Sequence, residues 1–407
     1  TIADRRGSLN FDDEGNPTGL LKDTAQDVVK SAIPPKSFKE SLADGRRAIK
    51  AITAVGITSA TDAAADPGTL KVWKGLASKG QMPIRLNSFV VVDAGQGVHG
   101  AAAYYKAMEK KYSTERLRVP GVKMFMDGVI EYPAQTAALI DPYLEKVGDE
   151  WVPGSNRGDI YFTQKQANRF VTRFDRMNRR IHVHAIGDRA AKVALNAAAA
   201  ARKANRSARR DNIAIAHLQL VDPSDYGRFA KLGVYADMQL QWAVSDFWTE
   251  DALHPFIGDE RYNRLYPARS LVKAGAPFAM GSDWPVDPLN PWNEIMTANT
   301  RRNDYGGLLL ANQSIPVATA LRAHTLGSAR QLGISGKVGS VTVGKDADLI
   351  VINRNPLKAR PGSIDKTRVL RTIIRGRTVY TPGPGSSALI SRAASLSTGE
   401  AGHDHGH

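Results

Sequence analysis

Four polar side chains occur in short apolar segments that predict β-strands. They are Lys123 in segment 121–128, His184 in 181–188, His217 in 213–218 and Asp283 in 277–285. Neutral imidazoles and carboxylates bind Zn²⁺ and similar divalent cations. The 407-residue sequence contains no cysteine, which excludes disulfides, thiolate metal ligands and thiol nucleophiles. A metal site in this chain must therefore use histidine, carboxylate or modified lysine side chains.

Each of these residues also has an ordinary structural explanation. A single histidine on a strand is more often a hydrogen-bonded structural residue than a metal ligand, and Lys123 could point away from the sheet. The segment Gly281-Ser282-Asp283-Trp284-Pro285 could be only a turn that caps a helix. Four such residues on four predicted strands are much harder to explain as coincidence. Together they favour one shared site.

Seven segments of the chain predict strands, and helix-length segments lie between them. The strand segments are 56–62, 84–90, 121–128, 181–188, 213–218, 233–239 and 277–285. Apolar strands that alternate with helices predict a parallel sheet covered by helices. We therefore expect an α/β fold of the (β/α)8 TIM-type barrel class, in which the strand ends carry the reacting groups. Such a barrel needs eight strands, and the sequence predicts only seven.

Changes in composition along the chain predict four regions. Residues 1–27 form a turn-rich hairpin segment, 28–332 the barrel, 333–380 a small C-terminal β domain, and 381–407 a flexible tail that ends in His403, His405 and His407. No run of 18 apolar residues predicts a membrane span. We expect a soluble protein, and the sequence leaves cytoplasm and periplasm equally open.

The formal net charge of +15 favours contact with anionic surfaces but does not identify a partner. The densest basic stretch, residues 202–210, contains no aromatic residue that could stack on a nucleic-acid base. We interpret it as the solvated end of a helix, where cations suit the helix dipole. No nucleic-acid partner is expected.

A series of motifs surrounds the four polar residues. It consists of VKMFMDGVIE at 122–131, HAIGDRA at 184–190, IAHLQ at 215–219 and GSDWPV at 281–286, with GNPTG at 15–19, VGSV at 338–341 and GKDADL at 344–349. In this order the motifs resemble the amidohydrolase superfamily, specifically its amidohydrolase-3 branch, which includes N-substituted formamide deformylases. The resemblance runs from about residue 7 to 380.

The resemblance implies a barrel with a small β-sandwich domain and a metal site at the strand ends. It implies that His184 and His217 bind metal, that Asp283 binds metal and transfers the proton, and that a carboxylated Lys123 bridges two ions. Zn²⁺ is the expected ion, with Mn²⁺ and Fe²⁺ as alternatives. His182 is either a further ligand or a residue that orients one. We also expect three acidic residues to orient the ligands without binding metal themselves: Asp127, Glu131 and Asp188.

One feature of the family pattern is missing from this sequence. The family's first barrel strand ends in His-x-His and supplies two ligands, but no such strand precedes Gly56. The difference agrees with the count of seven strands. We expect an N-terminal segment or a companion chain to supply the strand, with a strand from residues 1–11 or from another protomer as the alternative. A homo-oligomer is also expected.

The expected activity is hydrolysis of a non-peptide amide C–N bond, in an N-acyl or N-formyl amine, by metal-activated water. Asp283 is the expected proton acceptor, and His217 or a neighbouring donor stabilises the oxyanion. Trp242, Phe247 and Trp248 form an apolar wall beside the substrate or pack beneath a loop. Two alternatives remain. The chain could be an inactive scaffold or binding subunit, or Thr1 could be an N-terminal nucleophile, which its polar, turn-like neighbours disfavour.

Overall fold

The computed structural model of the protein describes residues 9–12, 14–205 and 210–383. It contains fourteen strands: β1 (Leu9–Phe11), β2 (Pro17–Leu21), β3 (Ser59–Ala65), β4 (Arg85–Val91), β5 (Leu117–Phe125), β6 (Leu144–Val147), β7 (Glu150–Pro153), β8 (Arg180–Ala185), β9 (Ile213–His217), β10 (Val234–Met238), β11 (Phe278–Met280), β12 (Leu349–Ile352), β13 (Val369–Ile374) and β14 (Arg377–Tyr380). Thr1, the disfavoured alternative nucleophile, and the tail histidines His403, His405 and His407 lie outside the described residues.

Thirteen α-helices occur in the described part of the chain. They are α1 (Asp27–Lys30), α2 (Phe38–Ala54), α3 (Pro67–Ser78), α4 (Gly97–Tyr112), α5 (Gln164–Arg176), α6 (Asp188–Ala204), α7 (Tyr226–Leu232), α8 (Phe247–Glu250), α9 (His254–Tyr262), α10 (Ala268–Lys273), α11 (Pro291–Thr300), α12 (Val317–Arg322) and α13 (Ser328–Gln331). Within the described ranges, no helix combines the length and the apolar composition needed to cross a membrane.

Seven strands form one curved parallel sheet in the order β11-β10-β9-β8-β5-β4-β3. All seven predicted strand segments are present, and the predicted α/β barrel class is confirmed. Strand β11, in the predicted segment 277–285, is the shortest of the seven strands in this sheet. It ends at Met280, so Asp283 belongs to the loop that follows. In the described part of the chain β3 and β11 do not pair with each other, so the sheet has two open edges.

The register of the sheet separates its polar and apolar faces. One row of directly paired residues contains Lys123, His182, Ala214 and Tyr235, and the next row towards the carboxyl ends contains Phe125, His184, Ala216 and Asp237. Their chain neighbours point to the other face, since side chains alternate along a strand. Those neighbours, such as Met124, Val183 and Ile215, belong to the main hydrophobic core. The concave face is therefore where polar side chains collect.

Local sequence signals explain where two of the outer helices begin. Ser37 and Glu40 form a capping box at the start of α2, and Thr163 and Gln166 form another at the start of α5. In each box a side chain accepts a hydrogen bond from a backbone N–H that the first helical turn would otherwise leave without a partner.

The basic stretch at the end of α6 differs from its interpretation as a solvated helix end. Arg202 is buried and its guanidinium lies 2.5 Å from the Asp175 carboxylate. It also donates to the Leu232 carbonyl. The interpretation is therefore wrong for Arg202, because a buried carboxylate from α5 supplies a partner that local sequence cannot reveal. Residues 206–209 of the stretch lie outside the described residues.

The chain before and after the barrel forms two small antiparallel units. Strands β1 and β2 pair as a hairpin, so residues 9–11 join β2 and not the open edge of the barrel sheet. Strands β12, β13 and β14 form a separate antiparallel sheet. Arg85 of β4 pairs with Asp346, at 2.5 Å, and with Asp348 just before β12. The domain boundaries at residues 27, 332 and 380 remain predictions.

Candidate active site

The structure brings His184 and His217 into contact. Their rings lie 4.5 Å apart between centroids in an edge-to-face arrangement. His184 is the penultimate residue of β8 and His217 is the last residue of β9. Two imidazoles from neighbouring strands therefore meet at the carboxyl end of the sheet, where a barrel carries its reacting groups.

His217 reaches this position through an unusual backbone conformation. Regular alternation would place its side chain on the face opposite to Ala216, away from His184. Instead, the φ angles of His217 and Leu218 are +79° and +53°, in the left-handed region that residues other than glycine seldom adopt. Asp283 also has a positive φ, of +55°. Strained backbone of this kind concentrates at functional sites, and both expected catalytic residues show it.

Lys123 belongs to a chain of buried polar contacts across three strands. Its Nζ lies 3.1 Å from Nδ1 of His182, and Nε2 of His182 lies 3.2 Å from the Asp237 carboxylate. Gln331 of α13 donates to the same carboxylate at 2.5 Å. Because Asp237 can only accept, His182 carries its proton on Nε2 and accepts from Lys123 at Nδ1. His182 thus orients Lys123 in this structure.

Both histidines of the pair are uncharged at neutral pH. Burial lowers the pKa of His184 to about 3, and the nearby Lys123 charge acts in the same direction. Burial also holds the pKa of His217 well below its usual value. The Nε2 of His184 lies 3.0 Å from the Gly128 carbonyl, which assigns its proton to Nε2 and leaves Nδ1 as a base. Neutral imidazole is the form that binds metal.

Asp283 and Lys123 are close enough for their charges to act on each other. Burial raises the pKa of Asp283, the charge of Lys123 opposes that rise, and Asp237 adds to it. Burial would also raise the pKa of Asp237, but its bonds from His182 and Gln331 outweigh that effect and leave it lowered. Asp237 is therefore a fixed negative charge, while Asp283 is the carboxylate that can take up a proton.

Asp127 fixes the loop that carries His184. Its carboxylate is fully buried and accepts the backbone N–H groups of Ala138, Ile186 and Gly187 at 2.8–3.0 Å. It also lies 3.5 Å from Nε2 of His184. Gly187 is required here, because a Cβ at this position would lie 2.1 Å from the Ala138 carbonyl oxygen. Asp127 therefore holds the loops after β5 and β8 together beside the histidine pair.

Glu131 and Asp188 occupy different places from Asp127. Glu131 accepts a hydrogen bond from Gln219 at 2.8 Å, and the same Gln219 amide donates to the Tyr266 hydroxyl. Burial raises the pKa of Glu131. Asp188, in the first turn of α6, accepts the N–H of Ile140 at 2.8 Å. Neither shows a hydrogen bond or ion pair to His184, His217 or Lys123, so their support is limited to the surrounding loops.

The donor types fit a divalent cation, although their number is small. His184 and His217 are neutral, Asp283 is a half-buried carboxylate, and Nδ1 of His217 is buried without a hydrogen bond of regular geometry among the described residues. Lys123 would join them only after carboxylation. In the same described ranges, no three histidine, aspartate or glutamate side chains form a metal-binding group. The chemistry of the set fits, and further ligands would be needed to complete a shell of four.

Two features near the site were not predicted. Asp237 occupies the predicted strand 233–239 in phase with Tyr235, and a charged residue in that apolar segment was a usable signal. Trp242 stacks on His217, with centroids 5.4 Å apart and planes 10° from parallel. The predicted aromatic wall is divided, since Phe247 and Trp248 are 62% and 57% exposed. No local pattern distinguishes Trp242 from these neighbours.

The model of the Amidohydrolase family, amidohydrolase-3 branch, matches residues 3–380. The chain belongs to this family. The expected resemblance is confirmed, and the motifs around Lys123, His184, His217 and Asp283 all lie inside the matched range. The histidine pair at the strand ends is therefore part of an amidohydrolase barrel.

Curated relatives of this amidohydrolase are longer than the chain. The amidohydrolase YtcJ of Bacillus subtilis is 28% identical over 386 residues, which cover 92% of this chain and 68% of its relative. The N-substituted formamide deformylase of Arthrobacter pascens is 23% identical, with 91% and 66% covered. The chain spans 62–68% of the length of these two proteins and of LONG AFTER FAR-RED 3 from Arabidopsis thaliana.

Solved structures share the fold of this amidohydrolase. An uncharacterized metal-dependent hydrolase from Pyrococcus horikoshii OT3 aligns with a TM-score of 0.68 at 24% identity, covering 87% of this chain and 68% of that one. A Xaa-Pro dipeptidase with bound methionine aligns with a TM-score of 0.57 at 16% identity, covering 87% and 82%. At these identities the similarity describes the fold alone.

Carboxylation of Lys123 is expected to increase from about pH 7 to about pH 9, because only a neutral amine adds CO₂. Burial lowers the pKa of Lys123 from 10.5 to about 8, so the neutral form becomes the major one as the pH rises through that value. Incubation with ¹³C-bicarbonate should give a carbamate NMR signal that grows with pH. The Lys123→Ala variant should lack the signal, and an equal signal in that variant would contradict the prediction.

Proposed function

We propose that this chain carries the catalytic barrel of a metal-dependent hydrolase that cleaves a non-peptide amide C–N bond in an N-acyl or N-formyl amine. The observation that carries the proposal is the pair of neutral imidazoles, His184 and His217, that meet at the carboxyl end of the sheet, with the charge of Lys123 acting on both of them and on Asp283. Family membership supports the reaction class. The deformylase among the relatives supports the choice of a non-peptide amide, which is the finer part of the proposal.

Four side chains would hold the metal: His184, His217, Asp283 and a carboxylated Lys123. When bound, a divalent cation such as Zn²⁺ lowers the pKa of water and polarises a carbonyl group. Burial of Lys123 favours the neutral amine that carboxylation requires. Mn²⁺ and Fe²⁺ bind the same donor types, so the choice of Zn²⁺ rests on the preference of imidazole-rich sites.

Asp283 would act as the proton carrier. Burial raises its pKa, which makes it a stronger base than an exposed carboxylate, while Lys123 keeps the charged form accessible. It would accept a proton from the attacking water and return it to the nitrogen as the C–N bond breaks. His217 or a neighbouring donor would stabilise the negative charge that develops on the carbonyl oxygen.

We also propose that a further strand completes the sheet between β3 and β11 and brings additional ligands. The two open edges and the absence of a three-residue ligand group among the described residues support this proposal. Exposed apolar side chains in the C-terminal region 333–380 indicate that this region also lacks a packing partner. Val341, Val343, Val351 and Leu370 are 88%, 104%, 45% and 43% exposed. An N-terminal segment or a companion chain would supply these elements, and the expected homo-oligomer remains a prediction.

A second candidate function is a binding subunit without catalysis. The ligand group favours it, because the described residues bring together two contacting imidazoles and no group of three metal-binding side chains. The raised pKa of Asp283 argues for catalysis, since a scaffold gains nothing from a half-buried carboxylate whose pKa responds to Lys123 and Asp237. Activity after metal loading separates the two functions.

Metal removal is expected to abolish hydrolysis of N-formyl and N-acetyl amines, and Zn²⁺ or Mn²⁺ should restore it. The reason is that the cation would activate the water and polarise the carbonyl group. The measurement is release of free amine before chelation, after chelation and after reloading, with the additional strand supplied. Dipeptides, including Xaa-Pro, serve as the matched substrates, and faster hydrolysis of these would overturn the non-peptide specificity. No hydrolysis of any amide by the metal-loaded complex would favour the binding subunit.

A further inference from the structure

We infer that Trp242 is a positioning residue that fixes the ring plane of His217. Trp242 ends the short 3-10 turn that follows β10, and His217 is the last residue of β9. The contact between them thus connects two neighbouring strands at the carboxyl end of the sheet. The consequence for turnover rests on the proposed function, but the ring geometry does not.

His217 needs an external constraint on its ring. Metal-binding histidines are usually oriented by a hydrogen bond at the second ring nitrogen. Here the Gln239 side chain interacts with His217 and raises its pKa against the effect of burial, but Nδ1 of His217 and Oε1 of Gln239 are buried without a hydrogen bond of regular geometry among the described residues. The left-handed backbone at His217 places the ring but does not fix its rotation about the Cβ–Cγ bond.

Aromatic packing supplies the constraint. The indole of Trp242 lies almost parallel to the imidazole, at 10° and 5.4 Å, while the His184 ring contacts it edge-to-face at 4.5 Å. Rotation of His217 would break the stacked contact on one side and collide with His184 on the other. Offset stacking and edge-to-face packing are both favourable aromatic arrangements. His217 is therefore held between two rings of fixed orientation.

The hydrophobic core holds the indole itself. Trp242 is half-buried and packs against the main core, whereas its neighbours Phe247 and Trp248 are exposed. The core therefore fixes the position of the ring that stacks on His217.

Imidazole NMR of the full chain tests the inference without requiring activity. With ¹⁵N-histidine labelling, His217 should give one sharp tautomer signal, assigned by its loss in His217→Asn. Trp242→Ala should broaden or split that signal, because the ring gains rotational freedom. Trp242→Phe should largely restore it, since phenylalanine keeps the stacked face and loses only the N–H. An unchanged His217 signal in Trp242→Ala would overturn the inference.

Trp73 provides a matched control. It is also a partly buried tryptophan, but it lies on α3, and its indole N–H donates to Asp62 at 3.0 Å. Trp73→Ala should leave the His217 signal unchanged. Equal broadening in both alanine variants would mean that general loosening of the fold, and not the stacked contact, moves the ring. That result would also overturn the inference.

Metal affinity and kinetics extend the test to the complete site. In the complex supplied with the additional strand, Trp242→Ala should weaken Zn²⁺ binding on the order of 10-fold, as loss of a ligand-orienting contact does. The value of kcat should fall while KM changes little. Failure of the proposed hydrolysis with a retained NMR effect would leave the positioning role intact, so the two proposals can fail separately.

Discussion

Replacement of Asp283 by asparagine is expected to reduce kcat for amide hydrolysis on the order of 10²- to 10⁴-fold, the range that general acid–base catalysis supplies. The amide has the shape of the carboxylate but cannot accept the proton from water. The fold should remain, because asparagine tolerates the left-handed φ of +55° that position 283 adopts. The measurement combines single-substrate kinetics with thermal unfolding of the same preparation.

The pH profile of the parent protein should agree with this assignment. Burial raises the pKa of Asp283, so the basic form is lost, and the rate falls, at a higher pH than for an exposed carboxylate. Asp304→Asn is a suitable control, because it removes the same charge from an exposed position. A variant Asp283→Asn with unchanged kcat would remove this residue from proton transfer and would require another base.

The second large effect concerns the open edges of the sheet. Chain 1–407 alone is expected to bind little Zn²⁺ and to hydrolyse no amide, whereas co-expression with a segment that carries a His-x-His strand should give a stable, active complex. The outer edges of β3 and β11 have no strand partner among the described residues, and an edge of this kind favours strand addition or aggregation. A zinc site also needs more ligands than the described group provides.

The matched control is the same segment with both histidines replaced by alanine. That segment should still improve solubility, because it can pair with the edges, but it should restore neither Zn²⁺ content nor turnover. Metal content by mass spectrometry and amine release measure the two effects separately. Full zinc occupancy and turnover in the chain alone would show that the additional strand is unnecessary, and the proposed site would be wrong.

The sequence by itself determined the seven strands, their order along the chain and the positions of Lys123, His184 and His217 on them. These features depend on local information: short apolar segments alternate with helical segments, and a strand pattern is readable within about eight residues. The family motifs around these residues were equally local. The class of fold followed because apolar parallel strands must be covered by helices.

The contacts of the site depended on the register of the sheet. His182 lies beside Lys123 because Lys123 of β5 is paired with His182 of β8, and Asp237 approaches from β10. These residues are 55 and 59 positions apart in the chain, so no local pattern connects them. The sequence left His182 as either ligand or support, and the structure shows it bonded to Lys123 and Asp237.

The orientation of the candidate site residues was decided only by the tertiary structure. Strand alternation alone would turn His217 away from His184, and the left-handed backbone at residues 217 and 218 reverses that direction. Such strained angles cost energy locally, and they persist because the surrounding packing over-determines them. Periodicity assigns a residue to a strand, but only the assembled loops, with Trp242 against the imidazole, fix the direction in which its side chain points.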